Sequence, residues 1–155
     1  MKILKAQTAL LTNWEVAQIL KTEAAEYSGS DGTARERKPP QNLKDMMTGA
    51  SLYLTRPTHP FNTPTSTYTP TSVAGTASLM ARLSPKYKLT KAEYIMLLNL
   101  RPVNIIEFEM VVEEAGVRFA ESEQWEILDV IKEVLGQMPE KVEQAAQAQA
   151  QANGH

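Results

Sequence analysis

An all-α fold is what this sequence predicts, on three observations. Apolar residues recur at three- and four-residue spacing in several segments. A threonine or asparagine stands three positions ahead of a glutamate where several of these segments start, which is the spacing of a capping box. No stretch of useful length alternates polar and apolar residues as a half-buried strand would. About six helices follow from the pattern.

In chain order, Met1–Lys5 sets Ile3 and Leu4 between lysines and is short enough to add an edge strand to another chain. Thr12 and Glu15 form the first capping box, with Leu11 and Val16 placed as its hydrophobic staple. The helix they start reaches about Glu26, and its stripe (Val16, Ile19, Leu20, the stem of Glu23) is narrow enough to need a neighbour. Ser28–Pro40 lacks apolar periodicity and reads as a flexible linker. Leu43, Met46, Met47, Ala50, Tyr53 and Leu54 then predict a helix from Asn42 to Thr55. Arg56–Thr71 holds four prolines among threonines and serines, a loop expected to order at best by docking. Ser72 starts a weaker helix facing inward through Val73, Ala77, Met80 and Leu83, ending at Ser84-Pro85.

The most explicit stretch runs from Leu89 to Gly136. Thr90 with Glu93, and Asn104 with Glu107, repeat the capping box, with Leu89/Tyr94 and Val103/Phe108 as staples. Pro102 ends the first of these two helices and pushes Arg101 from helical angles. A last helix starts near Ser122, turns Trp125, Leu128, Ile131 and Leu135 inward, and stops at Gly136. Trp14 and Trp125 both stand at core spacing, and Trp14 is also placed to anchor a partner. Gln144–Gln151 alternates Gln and Ala with nothing to bury and reads as a solvated tail.

The sequence carries little chemistry. It has no cysteine, so disulfides and Cys-containing zinc sites are excluded, and a reducing compartment fits. No charged-then-apolar leader precedes Leu10, and the longest strongly apolar run, Ile95–Leu98, is far too short for a membrane span. A soluble, intracellular protein without membrane association is expected. His59 lies in the Pro-rich loop, where a solvated histidine is expected, and His155 is the last residue. Glu113, Glu114, Glu121, Glu123 and Glu126 fit helix ends and first turns better than a divalent site. No Gly-rich phosphate loop is present. Neither catalysis nor a cofactor is expected.

Charge is uneven: residues 1–103 carry a net +6 and residues 104–155 a net −8. Ordinary solvated helix faces account for this, and the sharper reading turns the acidic half away from nucleic acid. Arg82, Lys86, Lys88, Lys91 and Arg101, with Tyr87 and Tyr94 interleaved, are the candidate contacts for a single strand or a protein factor.

Several spaced blocks carry a resemblance. Ala9-Leu10-Leu11-Thr12-Asn13 with Glu15-Val16, Gln41-Asn42-Leu43, Lys88 to Glu93, Leu97-Leu98-Asn99, Arg101-Pro102-Val103, Glu107 and Met110 to Glu114 occur in one order. Together they resemble the small stalk subunit of RNA polymerase III, the ninth-subunit or CGRP-receptor component protein family, counterpart of the fourth subunit of RNA polymerase II. The match covers both halves of the chain and fails in the two loops and the tail. The resemblance implies a non-catalytic, nuclear subunit with partner-docking helices over residues 1–56 and a Thr/Pro-rich loop over 57–71. An HRDC-like bundle over 72–138 and the Gln/Ala-rich tail at 139–155 follow. It implies a larger OB-fold stalk partner, the polymerase core, and an initiation factor that the pair helps to recruit. Ile3, Leu4, Leu10, Leu11, Trp14, Met46 and Met47 are the residues expected at the partner interface. A free-standing HRDC-like nucleic-acid-binding module is the alternative.

Overall fold

The caps written in the sequence set most of the helix starts. The structure is a computed structural model, described over residues 9–137, so Ile3, Leu4, the N-terminal strand and the Gln/Ala tail lie outside it. Helix α1 (Asn13–Ser28) begins where expected: the Thr12 hydroxyl accepts from the Glu15 amide at 3.2 Å, and the Glu15 carboxylate accepts from the Thr12 amide at 2.8 Å. It runs slightly past the expected end and stops at Gly29 in the left-handed region (φ 71°). Glycine is required there, since a Cβ would meet the Arg35 backbone at 3.1 Å. Helix α2 (Gln41–Leu54) packs back on α1. The linker between them folds onto α1, with the Arg37 amide donating to the Tyr27 carbonyl at 2.9 Å.

The Pro-rich loop corrects the expectation made for it. It is laid along this chain's own bundle, because its threonines and one tyrosine satisfy the free carbonyls at two helix ends. The Thr67 amide and hydroxyl donate to the Leu135 and Val134 carbonyls (3.2 and 3.0 Å), and the Tyr68 hydroxyl donates to the Leu98 carbonyl at 2.5 Å. His59 is a second correction: it is buried, not solvated, edge-on to Tyr53 and against Phe61 with ring centroids 5.6 and 4.4 Å away. Burial pushes its pKa down, so it packs as a neutral ring.

The segment expected as one helix from Ser72 is two. Thr69 caps α3 (Pro70–Ala74) and Ser78 caps α4 (Leu79–Leu83), with a break at Gly75, where a Cβ would stand 2.7 Å from the Thr71 Cα. Met80 consequently faces solvent rather than the core. Helix α5 (Lys91–Leu100) carries the full Thr90/Glu93 box. In α6 (Ile105–Val111) the Asn104 side-chain Oδ1 accepts from the Glu107 amide at 2.8 Å, but the Glu107 carboxylate accepts from the Val103 amide. Val103 itself stays half exposed, so the staple expected with Phe108 does not bury it.

A short turn of helix, α7 (Ala115–Arg118), was not legible in the sequence. It lets the chain reverse before α8 (Glu121–Leu135), which starts at Glu121 with the Glu123 carboxylate accepting from the Ala120 amide. On α8, Gln124, Ile127, Leu128, Ile131 and Leu135 point inward. Trp125 falls off that stripe and is half exposed, which corrects its reading as a core residue. Leu79, Leu83, Leu97, Phe108 and Val112 complete the centre, and no strand occurs among the described residues.

Arg101 closes this arrangement and overturns its expected role as a nucleic-acid or factor contact. It ends α5 in the left-handed region (φ 49°) and is only 1% exposed. Its Nε donates to the Gly136 carbonyl at 3.1 Å, and its Nη1 to the Pro60 carbonyl at 2.7 Å and the Thr63 hydroxyl at 3.2 Å. Arg101→Met should cost about 2–4 kcal/mol in urea unfolding, since buried carbonyls lose charged donors. It should also speed proteolysis within residues 56–69. Arg101→Lys should recover little, because an ammonium lacks the fork that reaches both segments. A loss below about 1 kcal/mol for Arg101→Met would remove this role.

Candidate partner-docking surface

Two elements, with the residues that lead into them, leave several large apolar side chains uncovered. Among the residues of α1 and α2, only Ala17 and Leu54 are buried. Leu10, Leu11, Ile19, Met46, Leu52 and Tyr53 are exposed, Met46 and Leu52 by about two thirds (64% and 66%). Trp14 is half-buried because it packs on the edge of the bundle core, and the Asn13 amide donates to the Asn99 side chain at 2.8 Å. The start of α1 is thereby fixed to the bundle. The rest of the α1–α2 pair is held chiefly by its own mutual packing.

Between α1, the linker and α2 lies a groove of about 680 Å³. Tyr27, Pro39, Met47 and Leu52 give it apolar walls, and Arg37, Lys38 and Lys44 stand along it. Met47 is half-buried in this groove while Met46 faces out. An apolar floor with a basic margin suits a protein segment with hydrophobic side chains and acidic flanks. Of the residues expected at a partner interface, Leu10, Leu11, Met46 and Met47 thus lie on this exposed part. Trp14 is shared with the bundle.

The basic cluster is less available than its sequence suggests. Arg82 pairs with Glu133 at 2.6 Å, and Lys86 pairs with Glu126, whose carboxylate also accepts from the Tyr87 hydroxyl. These contacts hold the Glu126 carboxyl below its ordinary range and raise the Lys86 pKa. With Arg101 buried, only Lys88 and Lys91 remain exposed and outside the ion pairs found among the described residues.

One pair was not anticipated. Arg118 on α7 reaches Glu93 on α5 at 2.5 Å and also donates to the Lys88 and Glu113 carbonyls. Glu93 had a visible role as the capping-box acid, but nothing in the spacing pointed to a partner 25 residues away.

Among the described residues no group of three or more His, Cys, Asp or Glu is placed to hold a metal ion, and no helix is long and apolar enough to cross a membrane. What this geometry offers is docking. The sequence matches the family model described as RNA polymerase Rpb4 over residues 10–135. The chain belongs to the RNA polymerase Rpb4 family. It is a non-catalytic RNA polymerase stalk subunit, a family whose members partner with the polymerase core and with a second stalk chain. The match spans both the α1–α2 pair and the bundle, and it also includes the two loops, which carried no resemblance on their own.

In this Rpb4-family chain the Glu93–Arg118 pair makes stability pH-dependent. The Arg118 guanidinium, with the Thr90 cap, lowers the Glu93 carboxyl from 4.5 to about 2. The depressed folded-state pKa means the contribution is complete above about pH 4.5 and is lost as pH falls toward about 2. By linkage it is on the order of 3 kcal/mol. Unfolding curves of the native chain and Glu93→Gln should therefore differ at pH 7 and converge between pH 4.5 and 2. Curves separated by the same amount across that window would rule the pair out as the source.

Proposed function

We propose that this chain is the small stalk subunit of RNA polymerase III. In this reading it pairs in the nucleus with a larger, OB-fold-bearing stalk subunit, and the pair supports transcription initiation by helping to recruit an initiation factor. The specific blocks that resemble the polymerase III subunit, notably Lys88 to Glu93 and Arg101-Pro102-Val103, favour that polymerase. The carrying observation is the uncovered apolar surface of α1 and α2, which the bundle does not shield. Residues 1–56 would act as the docking part and residues 72–138 as an HRDC-like bundle.

The alternative, a free-standing nucleic-acid-binding module, is less well supported. Of its five candidate contacts one is buried and two are committed to carboxylates on α8.

Co-expression with the larger stalk subunit should yield a one-to-one complex. Leu11→Glu and Met46→Glu should each weaken that complex at least about tenfold, as charges forced into an apolar contact do. Each should leave the melting temperature of the free chain nearly unchanged, because both side chains are already exposed. Tagged chain recovered from nuclear extract should bring down the polymerase III core. Recovery of the polymerase II core instead would overturn the assignment while leaving the family membership intact.

A further inference from the structure

The three most exposed large apolar side chains among the described residues belong to two neighbouring helices. Ile106 and Met110 on α6 are 73% and 81% exposed, and Val117 on α7 is 87% exposed. Ile106 and Met110 stand four residues apart and share one side of their helix. Helix α7 adjoins α6, and a Cβ on Gly116 would lie 3.3 Å from the Glu109 carboxylate. The opposite sides of the same helices already fill the core through Phe108, Val112 and Ala115. The outer residues therefore add nothing to the fold. Singly scattered exposed apolar residues are ordinary, whereas the three most exposed ones on two adjoining helices call for an explanation.

The charges around it say what it takes. Glu109, Glu113 and Glu114 are exposed on the same two helices and their junction, and none forms an ion pair among the described residues. Arg118 is bonded to Glu93 and feels Glu113 and Glu114 only at longer range. Elsewhere on the bundle Glu93, Glu126 and Glu133 each have a cation, and Glu123 caps the Ala120 amide. The exposed Glu121 and Asp129 on α8 form no ion pair among the described residues and stand without bare apolar neighbours of this exposure.

We infer that the outer face of α6 and α7 receives a basic amphipathic helix of another polypeptide. The apolar stripe of that helix lies on Ile106, Met110 and Val117, and its lysines or arginines lie opposite Glu109, Glu113 and Glu114. Apolar anchors at helical spacing with flanking charges are the ordinary terms of such recognition. A second copy in a symmetric dimer would set these carboxylates against each other. Residues 138–155 bring two glutamates and one lysine and do not complement the face. Nucleic acid and anionic lipid are repelled by it. The face is built from other helices than the α1–α2 surface, and the inference does not depend on which polymerase the chain serves.

The test uses the full-length chain, isotope-labelled and titrated with a synthetic helical peptide bearing a leucine stripe and lysine flanks. A sister peptide carries glutamates in place of the lysines. Amide shift changes should concentrate within residues 103–118 for the lysine peptide and be absent for the glutamate peptide. The dissociation constant should rise at least about tenfold in Glu109→Lys/Glu113→Lys and in Ile106→Ser/Met110→Ser, and stay unchanged in Asp129→Lys. Shift changes centred on α8 or on α1–α2, equal binding of both peptides, or no binding of either would overturn the inference. No polymerase subunit takes part, so failure here is distinct from failure of the stalk assignment.

Discussion

One buried guanidinium holds together segments that would otherwise have no reason to meet. Arg101 sits where α5 must stop, and Pro102 prevents any continuation. Its fork reaches the Pro60 carbonyl in the Pro-rich loop and the Gly136 carbonyl just past α8. The first belongs to a single 3-10 turn (Pro60–Asn62) and the second to the backbone just past α8, and a charged donor is worth more to each than a neutral one. Burial disfavours the charge and lowers the Arg101 pKa, and the carbonyls and the Thr63 hydroxyl offset that cost without a carboxylate. Gly136 takes part by its lack of a side chain, since a Cβ would stand 2.1 Å from the Thr65 carbonyl oxygen. The loop, the end of α5 and the end of α8 are therefore one cooperative unit.

That unit explains why the chain divides its apolar surface unequally. The bundle has six helices and a laid-down loop to cover one core, and its central leucines and isoleucines are fully buried. The α1–α2 pair has only two layers, tied to the bundle through Trp14 and Asn13 and to the Pro-rich loop through Tyr53 against His59. Helix α2 begins at Pro40 without any side-chain cap and buries one residue of its own. A helix of that length is marginal in isolation, and two of them that fully bury only Ala17 and Leu54 gain little more. A second chain covering this surface would stabilise the pair by burying what it now exposes. On the proposed reading the bundle would fold by itself, and a stalk partner would complete α1 and α2.

The helix starts were legible because their signals are local. Thr12, Thr90 and Asn104 each need only the residue three positions on to do their work. What could not be read was set by contacts distant in sequence. Arg101 looked like one member of a basic cluster because its neighbours in sequence are basic; its burial depends on Pro60 and Gly136, about forty and thirty-five residues away. Trp125 looked like core because it stands on a helix rich in core residues, yet the inward stripe passes through Gln124 and Leu128 and leaves it at the margin. Composition misled at the Pro-rich loop as well. Proline excludes regular structure but not order, and threonine hydroxyls supply donors that a helix end lacks. On the α1–α2 side, Leu10, Leu11 and Met46 were visible as apolar residues of segments that want a neighbour, whereas no spacing singled out Ile106, Met110 or Val117.

The charge asymmetry changes meaning once the pairs are placed. Read along the chain, a basic half precedes an acidic half, as though each faced a different partner. In space the two halves are interleaved, because α8 lies against α4, and its acids neutralise Arg82 on α4 and Lys86 just after it. Much of the apparent basic face is thus consumed in holding the bundle together, and such exposed pairs add little to stability. Among the groups that pairing has not reached are Lys88 and Lys91 at the approach to α5, and Glu109, Glu113 and Glu114 around α6 and α7. These acids flank bare apolar side chains, which gives them a different weight from acids in open solvent. A protein segment that covered Ile106 and Met110 would desolvate its neighbours, so an opposite charge at the rim would be favoured and a like charge excluded. Selectivity for a basic partner follows from that coupling of apolar area to unmatched charge, and neither feature would supply it alone.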